Sequence, residues 1–230
     1  MRTSFYLLLP AFLFISCSGS TEDNTDAHEG NNDTISEIIP EAEIDIHLTL
    51  CDNIPHACKF EGSVVDAYTW KDLNGTNYII RTIGEVMEGE AQYSDMEAHT
   101  QWLYAYHFIE DAKGNVTLSR EIKDYVENCE FDLNMGHELD ALTVTDLDED
   151  QIGEITFIYR LNCTSDVSPS DQKLMMLENG DKYALRGITQ VMGDGGTYEI
   201  DKAFDNAPAA FLDHAKKLWG DNLTEYDFEL

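Results

Sequence analysis

Apolar and polar residues alternate along most of the chain after about residue 44, which is the period of a β-strand. Three pairs of such runs flank short polar segments, and two of these segments contain Asn-Gly, which favours tight hairpins because both residues tolerate positive φ. Loops are predicted at Met135–Glu138 and 194–196. The predicted hairpins are Val64–Lys71 with Thr76–Ile83 around Asn74-Gly75, Gln101–Glu110 with Asn115–Lys123, and Lys173–Glu178 with Asp181–Ile188 around Asn179-Gly180.

The run Trp102–Ile109 is apolar on both of its alternating faces. An aromatic stripe of this kind can bind sugar rings, but two apolar faces favour a central strand that is buried on each side. The aromatic face consists of Trp102, Tyr104, Tyr106 and Phe108, and the opposite face of Leu103, Ala105, His107 and Ile109.

One helix is predicted near the C-terminus, where apolar residues take helical spacing. Asn206 is the expected N-cap, Pro208 lies in the first turn, and Gly220 ends the helix. These elements predict an α+β fold of mainly antiparallel β-meanders with a C-terminal amphipathic helix. The apolar stripe of the helix is formed by Phe211, Leu212, Ala215, Leu218 and Trp219.

The sequence also repeats at an offset of 105 residues, where eight residues between Asn74 and Tyr93 recur between Asn179 and Tyr198. Convergence of hairpin sequences explains Asn-Gly, but it does not explain the recurrence of Arg81 as Arg186. The alternatives are convergence and a domain of two related halves.

The first seventeen residues have the features of a bacterial export signal. Arg2 supplies a positive charge, and the apolar run Phe5–Ile15 is too short to span a bilayer permanently. Cys17 follows the small residue Ser16, which resembles the lipoprotein box of bacteria. The resemblance implies cleavage before Cys17 and acylation of this cysteine, whereas the alternative is an ordinary secretory signal with an incidental cysteine.

The predicted organisation is a signal peptide at 1–16, a lipidated cysteine and acidic tether at 17–43, and one β-rich globular domain at 44–230. The tether is predicted to be disordered because it is too polar to bury much apolar surface. Its first acids resemble signals that carry lipoproteins to the cell surface. We therefore expect an exported protein of the bacterial cell envelope, attached by its lipid to the outer membrane.

Charge narrows the choice of partners. The chain has 45 Asp and Glu against 14 Lys and Arg, for a formal net charge of −31. Such a charge repels nucleic acid and anionic headgroups and attracts cations, so nucleic acid is excluded as a partner.

Four cysteines follow Cys17, and an even number in an exported chain suggests disulfides. Of the three possible pairings we favour Cys51–Cys58, which are close in sequence around Pro55, together with Cys129–Cys163. A zinc site is the alternative, but the spacings lack Cys-x-x-Cys pairs.

The segment Thr145–Ile155 concentrates carboxylates between two predicted strands. Hard oxygen ligands in a tight loop suit Ca²⁺, and the string resembles the calcium loop of integrin-α-type FG-GAP repeats. The departure is Gln151, where that pattern has Gly and a left-handed conformation. By the resemblance, a structural Ca²⁺ would be bound by the side chains of Asp146, Asp148, Asp150 and Glu154 and by the main-chain carbonyl of Ile152.

Five further strings resemble a family of bacterial proteins, many of them lipoproteins, that are loosely labelled surface-polysaccharide biosynthesis proteins. The resemblance covers about residues 60–220 and implies a role in envelope polysaccharide, but it assigns no reaction and no catalytic residue. The strings are Lys71–Tyr78, Tyr104–Phe108, Val144–Asp148, Ser165–Pro169 and Lys182–Gly187.

The sequence contains no Gly-x-Ser-x-Gly elbow, no His-Glu-x-x-His and no phosphate-binding loop. The leading prediction is therefore a non-catalytic binding or accessory role at the cell envelope, linked to surface polysaccharide or to other envelope proteins. A carboxylate-based polysaccharide hydrolase and a purely structural envelope lipoprotein are the alternatives.

Overall fold

The alternating runs form two antiparallel sheets in which most neighbouring strands are also consecutive in sequence. This architecture is seen in a computed structural model that describes residues 46–93 and 96–224, all within the compact unit Ala42–Leu230. The predicted signal peptide, Cys17 and the tether lie outside the described residues.

The first sheet has the strand order β1-β2-β3-β5-β6, with β4 also paired to β5. Its strands are Thr49–Leu50 (β1), Ser63–Asp72 (β2), Gly75–Ile83 (β3), Met87–Glu88 (β4), His99–Glu110 (β5) and Val116–Cys129 (β6).

The second sheet has the order β7-β8-β9-β10-β13, and β11 and β12 form a separate short ladder. A 3₁₀ helix, Lys202–Asn206, and the helix α1, Ala209–Asp221, follow the last strand. The strands are Asp132–Thr145 (β7), Glu154–Thr164 (β8), Asp171–Glu178 (β9), Asp181–Ile188 (β10), Gln190–Val191 (β11), Asp194–Gly195 (β12) and Tyr198–Ile200 (β13).

Three apolar clusters hold these layers together. The inner faces of the two sheets pack on each other, with Trp70 and Leu103 from the first sheet and Phe157 from the second. The segment before β2 covers the outer face of the first sheet, and α1 covers the outer face of the second. The predicted α+β fold, rich in antiparallel strands, is confirmed.

Strand β5 lies between β3 and β6 and is buried on both faces, as the sequence predicts. The prediction of a loop at Met135–Glu138 is wrong, because these residues lie within β7, and the first three of them pair with β8. A contact with the first sheet holds this part of β7 in place. The Nε2 atom of His137 lies 3.0 Å from the Tyr104 carbonyl oxygen, between the two sheets.

The Asn179-Gly180 turn has the predicted geometry, with φ of 45° and 86°. At Asn74-Gly75 the turn differs, because Asp72 pairs with Gly75 and the central residues are therefore Leu73 and Asn74. A Cβ at Gly75 would lie 2.2 Å from the Glu110 carbonyl oxygen, so the close approach of this turn to the end of β5 requires glycine. The two hairpins thus differ by one residue in register. For the recurrence at an offset of 105 residues, convergence and a domain of two related halves both stay open.

The apolar stripe of the predicted helix is confirmed, with Phe211, Ala215, Leu218 and Trp219 buried. Its ends differ from the prediction. Pro208 occupies the N-cap position, because Asn206 already ends the preceding 3₁₀ helix, and the helix continues through Gly220 to Asp221. Within the described residues, no helix combines the length and apolar character needed to cross a membrane.

Cys129 and Cys163 form a disulfide with Cα atoms 5.7 Å apart, which joins the end of β6 in the first sheet to β8 in the second. Closing its 34-residue loop lowers the conformational entropy of the unfolded chain, which in the chain-entropy account stabilises the folded state by about 4 kcal/mol. Cys51 and Cys58 are free thiols among the described residues, contrary to the predicted pairing. Both instead pack as small apolar groups against the outer face of the first sheet.

Charged and titratable groups are buried between the sheets. Arg81 is fully buried, pairs with Asp66 and donates from Nη1 to the Glu138 carbonyl oxygen at 3.0 Å. Burial lowers the pKa of His107 and of His137 from about 6.5 to about 4, and repulsion from Arg81 adds to the effect at His137.

These histidines make the fold sensitive to acid. Between pH 6.5 and 4 the unfolded chain binds a proton at His107 that the folded protein does not bind, so the free energy of unfolding falls as pH falls. We expect His107→Gln to remove about 2 kcal/mol of that loss of stability, measured by urea unfolding of variant and wild type near pH 7 and pH 4.5. The exposed His56→Gln is the control, and an H107Q profile parallel to wild type would contradict the assignment.

Candidate metal centre

The acidic loop connects β7 to β8, leaving the sheet at Thr145 and re-entering it at Glu154. Two of its carboxylates hold the turn, since Gln151 N donates to Asp146 Oδ2 at 3.2 Å and Ile152 N to Asp150 Oδ1 at 2.8 Å. Gln151 has a φ of 66°, the left-handed conformation expected at this position. That conformation costs a non-glycine residue roughly 1–2 kcal/mol, which the contacts of the loop must offset.

Glu154 is the most deeply buried of these carboxylates, with 0 % of its surface exposed. The Thr145 hydroxyl donates to its Oε2 at 2.9 Å, and Leu147 N donates to both carboxylate oxygens at 3.1 Å. Burial nevertheless raises the pKa of Glu154 to about 7. The anionic form that binds a metal is therefore disfavoured unless a positive charge lies beside it.

A fifth carboxylate, Glu178, comes from the end of β9 and joins the four that the sequence predicts. Burial and then repulsion from Asp148 and Asp150 raise its pKa to about 7. The sequence analysis missed Glu178. The antiparallel pairing of β8 with β9, with Ile155 opposite Leu177, brings the end of β9 beside the start of β8, and no local motif signals that pairing.

Ligand-capable oxygens of these residues form two groups that share Asp148. One group contains Asp146, Asp148 and Glu154, and the other contains Asp148, Asp150 and Glu178. Within each group one oxygen of every member lies within 4.8 Å of the others. Three carboxylates this close repel one another, and together they can hold a divalent metal ion.

Two further atoms bear on this site. Asp146 Oδ1 is buried and accepts no hydrogen bond from the described residues, so it is an acceptor that a cation would satisfy. Ile152 lies in the loop, and its carbonyl as a ligand stays a prediction. Glu149 also belongs to the loop but to neither group of carboxylates, which makes it a matched control for mutagenesis.

The loop is fastened to the first sheet through Asp72. Its Oδ2 accepts hydrogen bonds from Gly153 N at 3.1 Å and from Trp70 Nε1 at 3.2 Å, and Leu73 N donates to the Gln151 carbonyl oxygen at 2.8 Å. A Cβ at Gly153 would lie 2.6 Å from Trp70 Nε1, so this close approach requires glycine. The acidic loop therefore contacts both sheets.

Comparison of the chain with protein-family models, with curated proteins and with solved structures finds no match.

Glu154 yields a test in which the presence of metal reverses the outcome. Because its pKa rises from 4.5 to about 7 on folding, the folded protein binds the extra proton, and the free energy of unfolding falls as pH rises through that range. Without metal near pH 8, Glu154→Gln should be more stable than wild type by about 3 kcal/mol, because glutamine keeps an acceptor for Leu147 but carries no charge.

Urea unfolding in EGTA and in excess divalent cation measures both effects. The cation should stabilise wild type and Glu149→Gln but not E154Q. Equal stability of wild type and E154Q in EGTA would show that burying this carboxylate carries no penalty.

Proposed function

We propose that this protein is a calcium-binding, non-catalytic accessory protein of the bacterial cell envelope, attached to the outer membrane through a lipidated Cys17. The observation that carries the proposal is the presence of two clusters of three carboxylates each, which share Asp148. The calcium ion has a structural role, which is to neutralise these carboxylates and fix the β7–β8 loop against the end of β9.

The ligand chemistry favours calcium among the common metal ions. Both groups consist of carboxylates alone, which are hard oxygen ligands, whereas structural zinc sites use cysteine and histidine. Calcium takes six to eight oxygens and tolerates irregular geometry, while magnesium requires a near-ideal octahedron. Five carboxylates on two chain segments meet the larger requirement, and the FG-GAP-like order of the loop supports the same choice.

An accessory role fits the cavity beside β1 and β2 better than hydrolysis does. This cavity of about 530 Å³ is lined by aromatic Trp70 and Tyr78 and, counting the described residues, by one carboxylate, Asp52. Glycoside hydrolysis generally uses a pair of carboxylates flanking the scissile bond. The link to surface polysaccharide rests on the five strings that resemble the envelope family, and the membrane attachment rests on the export signal before Cys17.

Calorimetric titration of the purified full-length protein tests the metal. We expect saturable Ca²⁺ binding in wild type and at least a tenfold weaker affinity in Asp148→Asn, because Asp148 belongs to both groups. Glu149→Gln removes one charge from the same loop and should bind as wild type does.

The two variants separate specific ligation from general attraction of cations to an acidic protein. Equal losses of affinity in D148N and E149Q would indicate attraction by net charge alone. Absence of heat in wild type would remove calcium from the proposal.

A deletion strain tests the cellular role. Loss of the gene should change the amount or chain length of surface polysaccharide, and wild type should restore it. Cys17→Ser should fail to restore it and should leave the membrane fraction, because its side chain cannot be acylated at sulfur.

Normal polysaccharide in the deletion strain would instead favour a purely structural envelope lipoprotein. Membrane-bound C17S protein would contradict the lipid anchor and leave the calcium site unaffected.

A further inference from the structure

A cleft of about 430 Å³ opens where the edge strand β6 of the first sheet faces β9 and β10 of the second. The buried residues Ile122, Tyr159 and Met175 line it. Side chains of β9 and β10 alternate between two faces, and Met175 and Ala184 point into the space between the sheets. Lys173 lies two positions from Met175, and Lys182 and Arg186 lie two positions from Ala184, so their side chains share this face and point toward the cleft.

The sign of the charge in this cleft is opposite to that of the protein. The whole chain has 45 acidic residues against 14 basic ones, yet the charged side chains that enter the cleft are three cations and one carboxylate, Asp124. Glu121 and Lys123 also border the space, but their charged ends lie on the opposite face of β6, where Lys123 Nζ is 4.4 Å from the Trp102 ring centroid.

The ion pairs already present leave positive charge at one end of the cleft. Asp124 accepts from both Lys173 Nζ and the Tyr159 hydroxyl, and Arg186 pairs with Asp201 at 2.9 Å while 40 % of its side chain stays exposed. Lys182 forms no ion pair with the described residues, although its charge helps lower the pKa of Asp201.

Arg120 adds to the charge at the same end. It donates to the carbonyl of Gly180, immediately before β10, and its buried Nε–H lacks an acceptor among the described residues. At the opposite end, beyond Lys173 and Arg186, the acidic residues Asp171 and Glu199 line the adjoining space. Lys182 and Arg120, two cations that form no ion pair with the described residues, therefore lie at the end nearer the Asn179-Gly180 turn.

We infer that this cleft binds a small molecule through an oxyanion group, a carboxylate or a phosphate, contacted by Lys182 together with Lys173 and Arg186. Lysine and arginine donate charge-assisted hydrogen bonds to both kinds of group. The surrounding negative charge of the protein repels anions elsewhere on the surface, so the local reversal of sign provides selectivity. A cleft of this volume accommodates a ligand of about the size of a substituted monosaccharide.

Saturation-transfer NMR on the full-length protein tests this with three ligands that share one pyranose ring. Glucuronate carries a carboxylate, glucose 6-phosphate carries a phosphate, and glucose carries neither. Saturable binding is expected for at least one anion and not for glucose, and it should weaken when salt rises from about 0.05 M to about 0.5 M.

Lys182→Gln should weaken binding of the anion about fivefold, the effect of removing one charged contact near the surface. Lys216→Gln, on an exposed position of α1, removes the same charge elsewhere and should leave binding unchanged. Binding of only one anion identifies the recognised group. Absence of saturable binding by both anions, equal binding of glucose, or equal effects of K182Q and K216Q would overturn the inference.

The inference is independent of the calcium site, and the Asp148→Asn protein serves to separate the two. If D148N loses calcium binding but still binds the anion, the anion site in the cleft is independent of the calcium site. Weaker anion binding in K182Q with intact calcium binding would assign the effect to the cleft.

Discussion

The carboxylate of Asp72 accepts hydrogen bonds from three directions. Trp70 and Asn74 donate to it from its own hairpin, and Gly153 donates from the acidic loop of the other sheet. Asp72 is almost completely buried, so each unsatisfied donor would carry a desolvation cost of about 1–3 kcal/mol. The position of the acidic loop against the first sheet therefore depends on this carboxylate, together with the hydrogen bond from Leu73 N to the Gln151 carbonyl oxygen.

Sequence reasoning located the β-strands because their alternation reflects burial that the structure reproduces, with β5 as the clearest case. It located the acidic loop because four of its carboxylates are local in sequence. It could not locate Glu178, which reaches the site only through the pairing of β8 with β9. Met135–Glu138 was misassigned for a related reason, since the buried contacts that make it a strand come from the first sheet.

The charge of this protein is divided between faces of the second sheet. On the outer face, beside the ends of β8 and β9, carboxylates crowd together, and burial and mutual repulsion raise the pKa of three of them, Asp148, Glu154 and Glu178. On the inner face of β9 and β10, lysine and arginine side chains meet a single cleft carboxylate. Adjacent residues of one strand point to opposite faces, so a two-stranded hairpin presents both chemistries without mixing them.

The Cys129–Cys163 bridge and the Asp72 contacts lie at opposite ends of the β7–β8 hairpin. Each of them crosses from one sheet to the other. The disulfide therefore links the sheets at one end of this hairpin, and the Asp72 hydrogen bonds link them at the other. After reduction, the hydrogen bonds of Asp72, Arg81 and His137 would still join the two layers, so breaking the covalent link alone would not separate them.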